Sequence, residues 1–277
     1  GLSAENASYA AVPGDFDGDG RLDLYVSQFR GQYNALYRNV GNYFSDERLE
    51  LGIVSYQRYS GAAAAFSDFD MDGNLDLYAS MFGTYDVFYA NRGEDGYQKA
   101  QVGDEGDAVG IALGDYDADG DQDVYIVNQN WRSTLWENDV ERKTFFDVGS
   151  NKGVENHAAG TGCAFGDYDN DGDLDLATKG RLYQNQSASR NYVKVKLVGN
   201  DVTDKMAIGS QVRIKIGEEM LTRQVCSSTG QGNQNSTVLH FGLGDHDSDV
   251  KATVNWIGGG SQEVTLKVNA SNTVTRP

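Results

Sequence analysis

Asp15-Phe16-Asp17-Gly18-Asp19-Gly20-Arg21-Leu22-Asp23-Leu24 is the first of four closely similar stretches; the others begin at Asp68 (DFDMDGNLDL), Asp115 (DYDADGDQDV) and Asp167 (DYDNDGDLDL). All four read D-[FY]-D-x-D-G-x-x-D-[LV]. Carboxylates this dense repel one another in an ordinary turn and become tolerable around a hard cation. Calcium takes six to eight oxygens in a flexible shell, with loop positions 1, 3, 5 and 7 its usual donors. Position 6 is glycine in every copy (Gly20, Gly73, Gly120, Gly172), where the chain must turn sharply.

An EF-hand would add a glutamate at position 12. Here that position holds Val26, Ala79, Ile126 and Thr178, and the flanks read as strands. The missing donor falls instead at position 9. The side-chain ligand set is then Asp15, Asp17, Asp19 and Asp23; Asp68, Asp70, Asp72 and Asp76; Asp115, Asp117, Asp119 and Asp123; Asp167, Asp169, Asp171 and Asp175. Position 7 adds a backbone carbonyl from Arg21, Asn74, Asp121 and Asp173. A single copy could be no more than a charged turn; four copies in phase argue for about four Ca²⁺ sites.

The phase extends beyond the loops. A glycine opens each unit (Gly1, Gly52, Gly103, Gly153), and a small apolar run leads into each loop: Tyr9–Val12, Gly61–Phe66, Val109–Leu113, Gly160–Phe165. A second strand-like run follows, and then an apolar-aromatic-x-Asn element ending at Asn39, Asn91, Asn138 and Asn185. Four short β elements in a unit of roughly 50 residues are the mark of a propeller blade, which buries its faces only against its neighbours. The fourth unit lacks its last strand. The ring therefore either closes with a borrowed strand, for which Tyr192–Leu197 is the candidate, or keeps an open edge.

These repeats resemble the FG-GAP/VCBS calcium repeats of integrin α-subunit propellers and their bacterial relatives. The resemblance covers residues 1–187 and implies an all-β, four-repeat propeller with calcium in its blade hairpins. From 188 to 277 the texture changes to clean period-2 alternation, as in Tyr192–Leu197 and Val212–Ile216, with further strands expected at Leu221–Cys226, Val238–Phe241, Val250–Trp256 and Glu263–Val268. Alternation of this kind predicts a β-sandwich with one wet face. Asn191–Leu197, Ala207–Ser210, His240–Gly244 and Val254–Trp256 resemble the ASPIC/UnbV domain that follows FG-GAP repeats in cartilage acidic protein and bacterial homologues. Asp245-His246-Asp247-Ser248-Asp249 copies half a loop but has Val250 and Thr253 at positions 6 and 9, so no fifth site is expected.

The chain has 277 residues, 34 of them glycine, and a formal charge of −18. That acidity argues against nucleic acid as a partner. No apolar run is long enough for a membrane helix. Cys163 and Cys226 allow at most one disulfide and are equally compatible with free thiols. Sequons begin at Asn6, Asn185, Asn235 and Asn269. The three histidines are scattered, no nucleophile elbow or phosphate loop occurs, and the carboxylates are claimed by calcium, so an enzyme is not expected. The reading is a secreted or cell-surface calcium-binding module for adhesion, matrix contact or assembly, with an extracellular protein, a glycan or itself as partner. One alternative is a lectin using the blade face opposite the acidic loops, where Tyr33, Tyr85, Trp131 and Arg132 lie. The same side chains could equally anchor their own blades. Another alternative is a polymer subunit completed by a neighbour's strand.

Overall fold

The computed structural model describes residues 8–28, 33–53, 60–158, 160–187, 190–200, 204–230 and 233–277. Each acidic loop joins the first two strands of a small antiparallel sheet. Blade 1 is β1 (Ser8–Gly14), β2 (Asp23–Gln28), β3 (Ala35–Asn39) and β4 (Phe44–Asp46). Blade 2 is β5 (Ser60–Ser67), β6 (Asp76–Phe82), β7 (Asp86–Asn91) and β8 (Tyr97–Val102). Blade 3 is β9 (Ala108–Gly114), β10 (Asp123–Asn128), β11 (Thr134–Asp139) and β12 (Thr144–Asp147). Blade 4 has only β13 (Cys163–Gly166), β14 (Asp175–Thr178) and β15 (Arg181–Tyr183) among the described residues. In every blade the position-9 aspartate opens the second strand and pairs with the residue just before position 1: Asp23 with Gly14, Asp76 with Ser67, Asp123 with Gly114, Asp175 with Gly166. That register brings the two ends of each loop side by side.

The blades stack through their first strands, β1 beside β5, β5 beside β9 and β9 beside β13. Each interface carries its own apolar cluster, in which the position-2 aromatic of one blade is covered by the next. Phe16 packs with Ile53 and Tyr97, Phe69 meets Phe88 and Phe145 edge-on, and Tyr116 lies with Phe165 and Leu176. A polar clasp accompanies the packing. The third-strand asparagine donates from Nδ2 to the position-2 carbonyl of the preceding blade: Asn91 to Phe16 (3.0 Å), Asn138 to Phe69 (2.8 Å), Asn185 to Tyr116 (2.6 Å). The recurring asparagine of the sequence is therefore the link between blades. It also commits the amide of the Asn185 sequon to the fold.

Among the described residues no blade packs over the fourth loop. Its position-2 aromatic, Tyr168, is 52% exposed, against 8% for Phe16, 1% for Phe69 and 6% for Tyr116. No comparable contact joins β13 to β1 among the described residues, so the four blades form an arc. The expected borrowed strand is not supplied by Tyr192–Leu197. Those residues belong to β16 (Asn191–Val198), which buries Val193, Val195 and Leu197 in a separate core. Three apolar side chains on one face find more cover there than along the three-residue edge of β15.

The C-terminal part is a sandwich of two sheets. The first is ordered β19-β16-β22 and contains β19 (Leu239–Gly244) and β22 (Ala270–Thr275). The second is ordered β18-β17-β20-β21 and contains β17 (Gln211–Ile216), β18 (Glu219–Gln224), β20 (Val250–Asn255) and β21 (Ser261–Leu266). The sheets enclose Val212, Ile214, Phe241, Val254 and Trp256. β22, which the alternation did not signal, pairs in parallel with β16. Between β18 and β19 the chain reaches into the arc and satisfies the inner strands. Thr229 Oγ1 donates to Ile111 O (2.8 Å), Asn235 Nδ2 donates to Leu113 O (2.8 Å), and Asn233 Oδ1 accepts from Cys163 N (2.8 Å). Inner-strand edges otherwise left unpaired are thus closed by side-chain amides and a hydroxyl. The Asn235 sequon is engaged in the same way. Cys163 and Cys226 are both free thiols.

Candidate metal centres

Backbone geometry explains each loop. Position 4 (Gly18, Met71, Ala118, Asn170) and position 6 (Gly20, Gly73, Gly120, Gly172) both have positive φ. The sequence announces only the second of these turns. The double left-handed bend turns the position-5 and position-6 amides toward the position-1 carboxylate. Asp19, Asp72 and Asp119 N donate to Asp15, Asp68 and Asp115 Oδ1 at 3.0 to 3.1 Å. The glycine amides donate to position-1 Oδ2 in all four loops. The position-9 carboxylate is held from two sides, by the position-2 amide and by the amide of the clasp asparagine. In loop 2 these are Phe69 N at 2.9 Å and Asn91 N at 2.7 Å.

Carboxylate oxygens of positions 1, 3 and 9 converge within 4.8 Å in loop 2 (Asp68, Asp70, Asp76), loop 3 (Asp115, Asp117, Asp123) and loop 4 (Asp167, Asp169, Asp175). In loop 1 the converging set is Asp15, Asp17 and Asp19. In all four loops the position-5 Oδ1 accepts from the position-7 amide, as Asp72 Oδ1 does from Asn74 N at 2.8 Å. Asp70 Oδ1, Asp121 Oδ1 and Asp167 Oδ1 are buried with no hydrogen-bond partner among the described residues. Orphaned anionic oxygens beside other carboxylates fit a hard cation and no neutral ligand. These groups could each hold a metal ion.

Burial and mutual repulsion push these carboxyls up. Burial is the main cause throughout. It takes Asp15 to about 6, Asp23, Asp68 and Asp115 to about 7, Asp76 to about 8, and Asp121 to about 9, where Asp119 and Asp115 add to it. Asp123 is likewise raised well above the ordinary carboxylate range, by burial first and then by Asp121 and Asp115. In chelator the folded chain therefore holds more protons than the unfolded chain above the ordinary value of 3.8, and its stability falls as pH rises through these raised values. Thermal melts in excess chelator are expected to give a higher Tm at about pH 6 than at about pH 8, and calcium should reverse that order by favouring the ionised forms. A Tm in chelator that climbs with pH would contradict this account.

The loops differ in their neighbours. Arg38 pairs with Asp17 (2.6 Å) and Arg21 with Asp19; Arg92 pairs with Asp70 (2.5 Å) and Asp72 (3.5 Å). The residue of blade 3 equivalent to Arg38 is Glu137, which accepts from Tyr116 Oη, so among the described residues Asp117 has no arginine ion pair like those of loops 1 and 2, although Arg190 acts on it through space.

Above the loops lies the C-terminal sandwich. It donates a hydrogen bond to each position-6 carbonyl, which points out of its loop. Gly258 N reaches Gly20 O (2.9 Å), Thr222 Oγ1 reaches Gly73 O (3.3 Å), Arg223 Nη2 reaches Gly120 O (2.6 Å) and His240 Nε2 reaches Gly172 O (2.8 Å). Burial lowers His240 to about 4, so the ring is neutral and its Nε2 carries the proton. Thr222 N and Gly242 N donate to Asp68 Oδ2 (3.0 Å) and Asp115 Oδ2 (2.8 Å). Thr222 and Arg223 carry no motif of their own in the sequence, and the His240–Gly244 stretch that resembles the ASPIC/UnbV domain gives no sign that His240 and Gly242 reach the loops. Lys194 was expected on a wet strand face by alternation, but it is buried against loop 4.

On the opposite side of the blades, Tyr33, Tyr85 and Trp131 are exposed, in the β2–β3, β6–β7 and β10–β11 connections. Residues 29–32 of the first connection lie outside the described residues. Arg132 does not stand free beside Trp131: it pairs with Asp147 (2.5 Å) and Glu155 (3.3 Å) and ties its own blade together.

Among the described residues no helix is long and apolar enough to cross a membrane. A family model described as FG-GAP-like repeat matches residues 15–79, 68–126 and 115–178, which between them contain all four loops. A second, described as ASPIC and UnbV, matches residues 201–277. Comparison with curated proteins gave no match.

Proposed function

The chain belongs to the FG-GAP-like repeat family, with an ASPIC and UnbV domain behind the repeats, and from this we propose a calcium-stabilised module that works by binding outside the cell rather than by catalysis. The observation that carries the reading is the convergence of three carboxylates in each of four hairpins, together with buried, partnerless oxygens in loops 2, 3 and 4. Calcium would be held by positions 1, 3, 5 and 9 with the position-7 carbonyl, and would supply the positive charge that the loops lack. Its role here is architectural. It fixes the turn between the first two strands of each blade and with it the row of glycine carbonyls on which the sandwich rests.

The sandwich covers the loop side, so the partner surface falls on the other side, where the exposed aromatics Tyr33, Tyr85 and Trp131 recur in successive blades. Exposed aromatic rings at equivalent positions suit an extracellular protein or a glycan. Calorimetric titration of metal-stripped chain with calcium tests the metal reading. Binding of up to four ions is expected, and the loss of one on neutralising Asp76, Asp123 or Asp175. A chain that takes up no calcium would refute it.

A further inference from the structure

The next inference rests on the calcium reading and concerns how the four loops differ. In loops 2 and 3 the C-terminal domain meets the position-1 carboxylate with a neutral backbone amide, from Thr222 and Gly242. In loop 1 it meets the main chain: Gln224 Oε1 accepts from Asp15 N and Gln211 Nε2 donates to Asp15 O. Arg223 acts on Asp68 and Asp115 through space while donating to carbonyl oxygens, and among the described residues loop 4 alone has its position-1 carboxylate ion-paired to the C-terminal domain. Lys194 Nζ lies 2.5 Å from Asp167 Oδ2, with the two side chains 11% and 4% exposed. This is a built contact. Lys194 projects from β16 between the fully buried Val193 and Val195, its ammonium is 5.7 Å from the Tyr192 ring, and that ring stacks on His240.

The contact changes the loop. In the other three loops the position-5 amide donates to position-1 Oδ1. In loop 4 Asp171 N reaches Asp169 Oδ1 instead, at 3.4 Å, and Asp167 Oδ1 is left buried and partnerless. One oxygen of the first ligand is thus free for a metal, while the other is already ion-paired with Lys194 and hydrogen-bonded to Gly172 N.

We propose that Lys194 is a built-in competitor for the cation of loop 4, making it the weakest and last filled of the four sites. Two positive charges sharing one buried carboxylate repel strongly where water cannot screen them. Calcium enters loop 4 only by sharing Asp167 with the ammonium or by moving it aside. Because Lys194 belongs to β16, filling loop 4 also works against one tie between the sandwich and the blades. Seating of the sandwich and affinity of this loop are then linked reciprocally.

The test is calcium titration by calorimetry on the metal-stripped chain, comparing the parent with K194M, K194Q and K194R. In the parent, one site weaker than the rest is expected. In K194M that site should tighten by roughly tenfold to a hundredfold, the range of a hydrogen bond to a charged group. K194Q is the second neutral variant should K194M fail to fold, and K194R, which keeps the charge, should retain the weak site. Three ions bound by the parent and four by K194M would support the same competition. Four equivalent sites in the parent, or a weak site unmoved in both neutral variants, would overturn the inference and leave the calcium reading standing. A chain that binds no calcium in any form would overturn both.

Discussion

Metal-stripped chain in excess chelator is expected to melt roughly 20 °C or more below the calcium-loaded chain. One loop with free calcium at about a hundred times its Kd adds about 2.7 kcal/mol to stability. A domain of this size gains roughly 2–4 °C per kcal/mol, so each filled loop contributes about 5–10 °C. Four loops together rival the whole net stability of an ordinary domain, which is about 5–15 kcal/mol. The size of the effect follows from where the carboxylates sit. Asp68, Asp76, Asp115 and Asp123 are almost wholly buried, so water cannot stand in for the cation. Scanning calorimetry with and without chelator checks this, and superimposable melts would remove calcium from the account of stability.

The second large effect is expected at Arg223, where R223M should destabilise the chain by about 3–5 kcal/mol, the usual result of removing one partner from a buried charged set. Arg223 is 4% exposed, and its guanidinium donates to Gly120 O and lies over the Phe241 ring at 5.4 Å. The carboxylates of Asp68 and Asp115 are its charged surroundings, and both are held down by it against the effect of burial. Methionine fills the volume but leaves Gly120 O unpaired and those carboxylates without a cation. The loss should be larger in chelator than in calcium, because bound metal replaces part of the missing charge. Denaturant titration in both buffers reads the difference. Equal losses in the two would show that Arg223 acts only through its hydrogen bond and packing.

Legibility of the loops and blades in the sequence follows from how local their physics is. Position 6 shows itself because glycine is favoured where φ is positive. Position 4, filled by Gly18, Met71, Ala118 and Asn170, adopts the same left-handed turn without a residue type in common. The clasp asparagines could be seen recurring, but their acceptors lie in another blade. Phe16 and Tyr168 occupy the same place in the same pattern, yet one is buried and the other exposed, because only the first has a blade packed over it. Lys194 misleads for the same reason. Alternation in β16 separates two faces, and loop 4 covers the one that should have been wet. β22 escapes the alternation because five of its six residues are polar or alanine, and its place is set by parallel pairing with β16.

What the sequence determined by itself is the chemistry of each hairpin. Spacing of aspartates and glycine places carboxylates around one point through bonds within the loop that span no more than seven residues, and the third-strand asparagine amide adds one from 10 to 16 residues away. The tertiary structure alone decided how the four hairpins differ. Asp167 meets Lys194 from 27 residues away, Asp115 meets Gly242 from 127 and Asp68 meets Thr222 from 154. Nearly identical local sequences thus acquire different charge environments, because the field at a buried carboxylate is set by whatever group the fold brings within a few ångströms of it.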